Sequence, residues 1–559
     1  MVELLHPGVY VQEVPSAVRP IQGVSTSTAA FIGRADKGPI PGTTLPNGRM
    51  AQAVMVTSFT DYQRQFGSFR QDSFLSYAVQ AFFQNGGQRL YVVRIAVTAA
   101  ASPPSSPPSQ PAQRATATIS SLQVSAINEG RWGGTSPGQI GISVAIIPSS
   151  NPDPDNFKLL VYYDPGTGPV VVETYDPVTW QSSPTLQPGA VNPADDVVSA
   201  VNSRSEYIAV TAPVTARPAA SGFDSSGQPN RTQLANGSDG SDPQQGDFIG
   251  APARDNTVTG TGLHALDKIT DVNLIAIPGQ GGQDTVSAGV EYCKNLRQLQ
   301  DCFFIGDMGT IVGGVSAARH DGASVTVRTI DQAVGFIAPP LNRSAGDFGA
   351  VYFPWVWSAD PIGRGRNPRI LLPPSGFIAG VYARIDNSRG VFKAPAGIEA
   401  GVAGALSVAT TVSDVEQDRL NPISVNVVRS VPGSGYVVWG ARTFGSDASW
   451  RYIPVRRMAI FLRVSIYYGI QWAVFEPNDE PLWAELRLNI RSFMLTQFRA
   501  GAFQGGTPDQ AFFVKCDSST TTQQDIDNGV VNILVGFAPL KPAEFVVLRL
   551  SQKVNQPAA

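Results

Sequence analysis

The sequence predicts an α/β (α+β) protein of several domains, and three observations carry that expectation. A chain of 559 residues exceeds what one core organises, since single cores stop growing beyond about 250–300 residues. Strand, helix and strand follow one another in the N-terminal part, the order of an α/β layer. The 55 Gly and 44 Pro favour turns and extended segments over long helices.

The elements follow in order. VYVQEV (Val9 to Val14) is an extended apolar run closed by Pro15, and Thr28 to Ala35 is a second strand. Phe74, Leu75, Ala78, Val79 and Phe82 recur at helical spacing, so the segment from Phe74 to Phe83 reads as a helix. Asn85-Gly86-Gly87 stops it, and RLYVVRIAV follows as a buried strand. The Pro/Ser stretch from Ala99 to Ala112 is a linker and the first domain boundary. From Arg114 to Thr211 come short β-type runs, QIGISVAII, FKLLVYY, VVVETY and EYIAV, separated by turn residues. The polar stretch from Pro213 to Gly262 holds little that could form a core.

The α/β pattern returns from Leu263 to Ala400, with VNLIAIPG and CFFIGDMG as strands and a helix from Val286 to Leu299 between them. In the C-terminal part VRRMAIFLRVSIYYG reads as a helix, QWAVF as a strand and PLWAELRLNIRSFMLTQFRAG as a long helix. Pro481 suits its first position and Asn478, Asp479 and Glu480 are cap candidates. Its apolar face runs Trp483, Leu486, Ile490, Phe493. AFFVKCD, VVNILVGFAP and EFVVLRL close the chain as strands.

Composition narrows the function. Charged residues make up 15%, against roughly 25% in an average soluble protein, which suits burial against other copies. The net charge of −3 leaves no basic field for nucleic acid. Arg364, Arg366 and Arg369 form only a local cluster. Cys293, Cys302 and Cys516 have no ligand spacing and read as buried thiols in a reducing compartment. The N-terminus lacks the layout of a secretory signal, and no apolar run spans a bilayer. The expectation is assembly in the cytoplasm, with release by lysis or another signal-independent route.

Catalysis finds few groups. The only histidines are His6, His264 and His320. His320-Asp321 beside Ser324 is the best candidate base and nucleophile, but without an elbow or oxyanion signature it reads as a solvated loop. Gly279 to Gly282 and Gly363 to Gly365 match no phosphate-cradling pattern and read as turns. Asp239, Asp242 and Asp247 are a candidate cation loop without EF-hand spacing. The reading implies no catalytic residue, cofactor or metal.

The ends of the chain stand out instead. Val9, Tyr10, Val11 and Val14, and Phe545, Val546, Val547, Leu548 and Leu550, are apolar extended runs beside prolines. An apolar edge strand must be paired. It pairs either within its own subunit or, by strand addition, in a neighbour's sheet. A head-to-tail contact of the second kind need not close and can propagate a helical lattice.

Blocks along nearly the whole chain resemble the contractile phage tail sheath family. They include PGVYVQEVPSAVRPIQGVSTSTAAFIGRADKGP (Pro7 to Pro39), LHALDKITDVNLIAIPG (Leu263 to Gly279), PPSGFIAGVYARID (Pro373 to Asp386), GVFKAPAG (Gly390 to Gly397), WRYIPVRR (Trp450 to Arg457) and FEPNDEPLW (Phe475 to Trp483). The resemblance implies a structural subunit, not an enzyme. Such a subunit stacks in rings, usually sixfold, into a helical sleeve around an inner tube, with baseplate and terminator proteins at its ends. The sleeve contracts to drive the tube through a target envelope. It implies linker arms at 1–14 and 541–559 and a core built from 15–98 and 405–540. An inserted β-rich outer domain would take 99–262, and a subtilisin-like, non-catalytic middle domain 263–404. The long helix would face the tube through Glu485, Arg487 and Arg491, or those residues form an ordinary solvated face. The rival readings are a hydrolase on the middle region and another tail or baseplate protein.

Overall fold

The computed structural model describes residues 19–545 except 47, 98–109, 133–139, 152, 167, 181–194, 212, 213, 215, 254–258, 313, 320–323 and 365. The chain forms two compact units. One comprises Thr26–Ser388 and Pro395–Ile453; the other comprises the described residues of Met1–Ser25, Arg389–Ala394 and Pro454–Ala559.

The larger unit is built on an eight-stranded sheet. Its spatial order is Val54–Val56, Leu90–Arg94, Ala29–Gly33, Leu274–Ala276, Phe303–Asp307, Gly349–Phe353, Val425–Val431 and Gly435–Trp439. The strands between the two edges run parallel, and each edge strand is antiparallel to its neighbour. Parallel strands are covered on both faces, which calls for unbroken apolar runs instead of alternation. AAFIG, FFIGD and GAVYF are buried at every position. The helices Leu75–Gln84 and Ser375–Arg389 pack together closely enough to need glycine. A Cβ on Gly376 would lie 2.6 Å from the Ala78 Cα, and one on Gly380 would lie 2.5 Å from the Phe82 carbonyl oxygen.

This sheet groups the chain differently from the expected division. Residues 29–94 share it with 274–353 and 425–439, so it runs across the expected boundary at 405, and Pro454 onward belongs to the other unit. Strand pairing decides this grouping, through registers such as Ala29 with Leu274 and Val351 with Val425. Such pairings join residues from tens to hundreds of positions apart, and a local pattern does not report them.

Most of the strands between Leu90–Arg94 and Leu274–Ala276 lie in two further sheets. A three-stranded sheet (Ile208–Val210, Leu122–Ala126, Thr116–Ile119) and a five-stranded sheet pack around Leu122, Val124, Trp132, Ile142, Phe157, Val161 and Val178. The central pair of the larger sheet is Gly141–Pro148 with Asn156–Asp164. The polar stretch after Pro213 contributes more than expected, because Leu234 lies in this core and Phe248 is buried in the short helix Gln245–Ile249.

The smaller unit is helical. Ile453–Gly469 and Glu480–Arg499 contribute Met458, Leu462, Ile490, Phe493 and Met494 to a core with Ile21, Val391, Phe503 and Phe512. Of the three cap candidates the structure selects Asp479, whose side chain accepts from the Leu482 N–H at 3.2 Å, with Pro481 in the first turn. QWAVF is not a strand. Gln471–Ala473 is a 3-10 turn, and Val474 and Phe475 are exposed. The chain must reverse between two helices within a few residues, which leaves no partner for a strand. The helix expected from Val286 is Gln283–Glu291, continued by a π-helical turn, Tyr292–Leu296.

Candidate functional site: assembly elements and a buried charge joint

In the smaller unit, Phe512–Lys515 and Leu534–Phe537 form an antiparallel sheet that has two strands among the described residues. A lone two-stranded sheet is marginal in water, and Phe513 and Leu534 on it are more than half exposed. The chain just after the expected N-terminal arm is fastened to the same unit. The Arg19 N–H donates to Asn489 Oδ1 at 3.1 Å and its guanidinium lies 4.5 Å over the Trp472 ring. Ile21 enters the core, and the Val24 N–H donates to Ser465 Oγ at 3.1 Å. Val9, Tyr10, Val11, Val14, Val546, Val547, Leu548 and Leu550 lie outside the described residues. Phe545 is described and is 76% exposed.

Glu485, Arg487 and Arg491 all lie on the helix Glu480–Arg499, and each has a partner within the unit. Arg19 Nε stands 4.0 Å from Glu485 Oε1. Arg487 donates to the Cys516 carbonyl and, at 3.1 Å, to Glu480. Arg491 donates to Asp509 at 3.1 Å and sits 5.9 Å over the Phe512 ring. The two arginines thus brace the helix against the segment carrying the hairpin.

The acidic loop holds arginines. Asp239 is 5% exposed; its carboxylate accepts from Arg70 Nη1 at 2.6 Å and Arg94 Nη2 at 2.8 Å. Arg94 also donates to the carbonyls of Ala35, Gly38 and Glu129. Arg70 makes a two-pronged bond to Asp72 at 2.7 Å through each nitrogen, the geometry that suits guanidinium to carboxylate. Asp242 accepts from Arg34 at 2.5 Å, and Asp247 accepts from the Gln244 N–H at 2.7 Å as part of a capping box. These partners occupy all three carboxylates of the acidic loop. The cluster joins the loop after the β-rich domain to the first strand and helices of the body.

Burial of the cluster shifts its groups. It alone would raise Asp72, yet the bonds from Arg70 outweigh it and pull that carboxyl down to about 2. Burial pushes Asp36 up and Arg94 down. Nearby, Lys37 is buried, with its ammonium 4.1 Å over the Tyr163 ring and within 6 Å of the Trp132 and Tyr207 centroids; burial lowers it to about 8. No signal in the sequence marks Arg70 or Arg94 as partners of Asp239, because they are 169 and 145 residues away.

Of the candidate catalytic groups, His6, His320 and Asp321 lie outside the described residues. His264 Nδ1 is 3.1 Å from Asp267 Oδ2, and the ring meets Tyr292 edge-on. Among the described residues no three His, Cys, Asp or Glu are placed to hold a metal, and no helix is long and apolar enough to cross a membrane. The three cysteines are free and buried. Asp307, at the end of its strand, is fully buried and accepts from the N–H groups of Gly279 and Ser375 and from Ser375 Oγ at 2.8–3.0 Å. Desolvation outweighs these bonds and raises it to about 6. It ties two strand ends to the start of the helix Ser375–Arg389.

Comparison with known proteins places this architecture. The phage tail sheath protein central domain matches residues 256–444 and the phage tail sheath C-terminal domain matches 445–553, together more than half of the chain. The tail sheath protein of Vibrio phage KVP40 is 24% identical over 308 residues, 48% of this chain and 45% of that protein. The chain spans less than half the length of the curated relatives it matches. Among solved structures, the fold resembles the sheath complex of an extracellular contractile injection system in its contracted state, with a TM-score of 0.53 at 21% identity over 99% of both chains. It also resembles the sheath tail protein of Listeria innocua, with a TM-score of 0.56 at 12% identity over 93% of this chain and 96% of the other. The matched domains run without a gap from the parallel sheet through the helical unit, and the chain belongs to the phage tail sheath protein family.

Proposed function

We propose that the chain is a structural subunit that polymerises into a helical sleeve of stacked, usually sixfold rings around an inner tube and contracts to drive that tube through an envelope. The observation that carries the reading, beside family membership, is the two-stranded sheet of the smaller unit with its exposed Phe513 and Leu534. The apolar runs at Val9 to Val14 and Phe545 to Leu550 of neighbouring copies would extend it by strand addition. Strand addition keeps copies linked while their bodies rotate, a rigid-body switch with the energy stored at assembly. The partners are further copies, the tube protein through Glu485, Arg487 and Arg491, and the baseplate and terminator proteins. The subunit works within a phage tail or tail-like particle, assembles in the cytoplasm and acts without enzymatic chemistry or cofactor.

The test is negative-stain electron microscopy of the full chain beside a truncation ending at Pro542. Striated hollow tubes from the full chain, lost in a truncation that stays folded, support both the sleeve and the C-terminal link. Tubes from both remove that link and keep the sleeve. Monodisperse subunits under all conditions, inner tube included, overturn the reading.

A further inference from the structure

The turn between the two long helices of the smaller unit carries a side chain that the described residues do not cover. Phe475 is fully exposed, and its neighbour Val474 is 57% exposed. Phe475 also has a φ of +72°, in the left-handed region that a bulky L-residue avoids. A strained backbone persists where the surrounding structure over-determines it, and it clusters at working sites. Here the strain points an aromatic ring into solvent. Glu476, Asp479 and Glu480 follow directly, and only Glu480 has an ion-pair partner among the described residues, Arg487. The result is an apolar knob with an acidic flank.

The larger unit presents a matching feature. The strands Val356–Ala359 and Arg369–Leu372 form a hairpin. Its tip is held at the base by Asp360, which pairs with Arg319 at 2.5 Å and whose N–H donates to the Pro368 carbonyl at 3.0 Å. On that tip Ile362, Arg364 and Arg366 are exposed, and neither arginine has an ion-pair partner among the described residues. The two belong to the local basic cluster noted in the sequence, whose third member, Arg369, lies 4.6 Å over the Trp357 ring.

We propose that Phe475 of one copy seats against the hairpin tip of a second copy, with Ile362 meeting the ring and Arg364 and Arg366 meeting the acidic flank. The contact joins two different surfaces, so it is head-to-tail, and it repeats from copy to copy as a ring or as an open helix according to the rotation between them. Opposite charge sets its register and aromatic burial supplies its hold. The inference rests on the self-assembly reading above and adds to it a contact separate from the terminal arms.

The experiment places the photo-crosslinking residue p-benzoylphenylalanine at position 475 of the full chain, a substitution close in shape to Phe. Tubes grown from a mixture of light- and heavy-nitrogen subunits are irradiated, and the linked peptides are read by mass spectrometry. Mixed-isotope links from 475 into residues 360–369 are the expected result. Links confined to one copy, to other segments, or to an added tube protein overturn it. As a second measurement, Phe475→Ser and the pair Arg364→Glu with Arg366→Glu should each raise the subunit concentration needed for tubes by about tenfold or more. Adding Glu476→Arg to the paired variant should recover part of that loss. Unchanged thresholds in folded variants defeat the contact while leaving the sleeve intact, whereas a wild-type chain that never forms tubes defeats the sleeve itself.

Discussion

Asp307 shows how one buried group sets a pH dependence. Its carboxyl is raised from 3.8 to about 6 by desolvation, against three donors that favour the charged form. A raised folded-state value means that the folded chain holds the proton more tightly than the unfolded chain. The stabilisation is fully present below about pH 4 and is lost as pH rises through about 6, about 3 kcal/mol in all. The denaturation midpoint of the wild-type subunit, compared with Asp307→Asn, should therefore fall between pH 4 and pH 7. A difference that stays level over that range would remove Asp307 as the cause. In the sequence Asp307 is only the fifth residue of a buried apolar run. Its burial follows from the helix Ser375–Arg389 being laid over the strand end, which no local pattern announces.

At the scale of the element, the long helix Glu480–Arg499 was the most legible part of the chain, and for local reasons. A capping carboxylate, a proline in the first turn and an apolar stripe through Trp483, Leu486, Ile490 and Phe493 all act within a few residues. Asp479→Ala should cost about 1 kcal/mol; the check is a lower melting temperature of the helical signal in circular dichroism. A variant that melts with the wild type would mean the cap is replaced by another acceptor. In the neighbouring turn QWAVF reads as a strand because it is as apolar as one. Its residues are not paired, and Phe475 and Val474 face outward. Hydrophobicity alone does not separate a buried strand from an exposed contact site.

At the scale of the molecule, the charge joint decides whether the β-rich domain is an appendage or part of the body. Asp239 is the shared carboxylate of Arg70 and Arg94, and those guanidiniums in turn hold the carbonyls of Ala35 and Gly38. Removing it leaves two buried cations short of a counter-charge, a loss of about 3–5 kcal/mol. Asp239→Ala should therefore split the calorimetric unfolding of the larger unit, with the β-rich domain melting first. A single transition at the wild-type temperature would show that apolar packing alone couples them.

The sequence by itself determined the α/β class, the two long helices and the strands within AFFVKCD and VVNILVGFAP in the C-terminal part, and the family. Each of these follows from short-range causes: periodicity, turn chemistry, caps, and blocks of residues read in line. Tertiary structure alone decided that residues 29–94 share a sheet with 274–353 and 425–439, that the acidic loop holds arginines, and that Asp307 is buried. These depend on pairings across tens to hundreds of residues. Their free energy comes from surfaces and charges that meet only once the chain has folded.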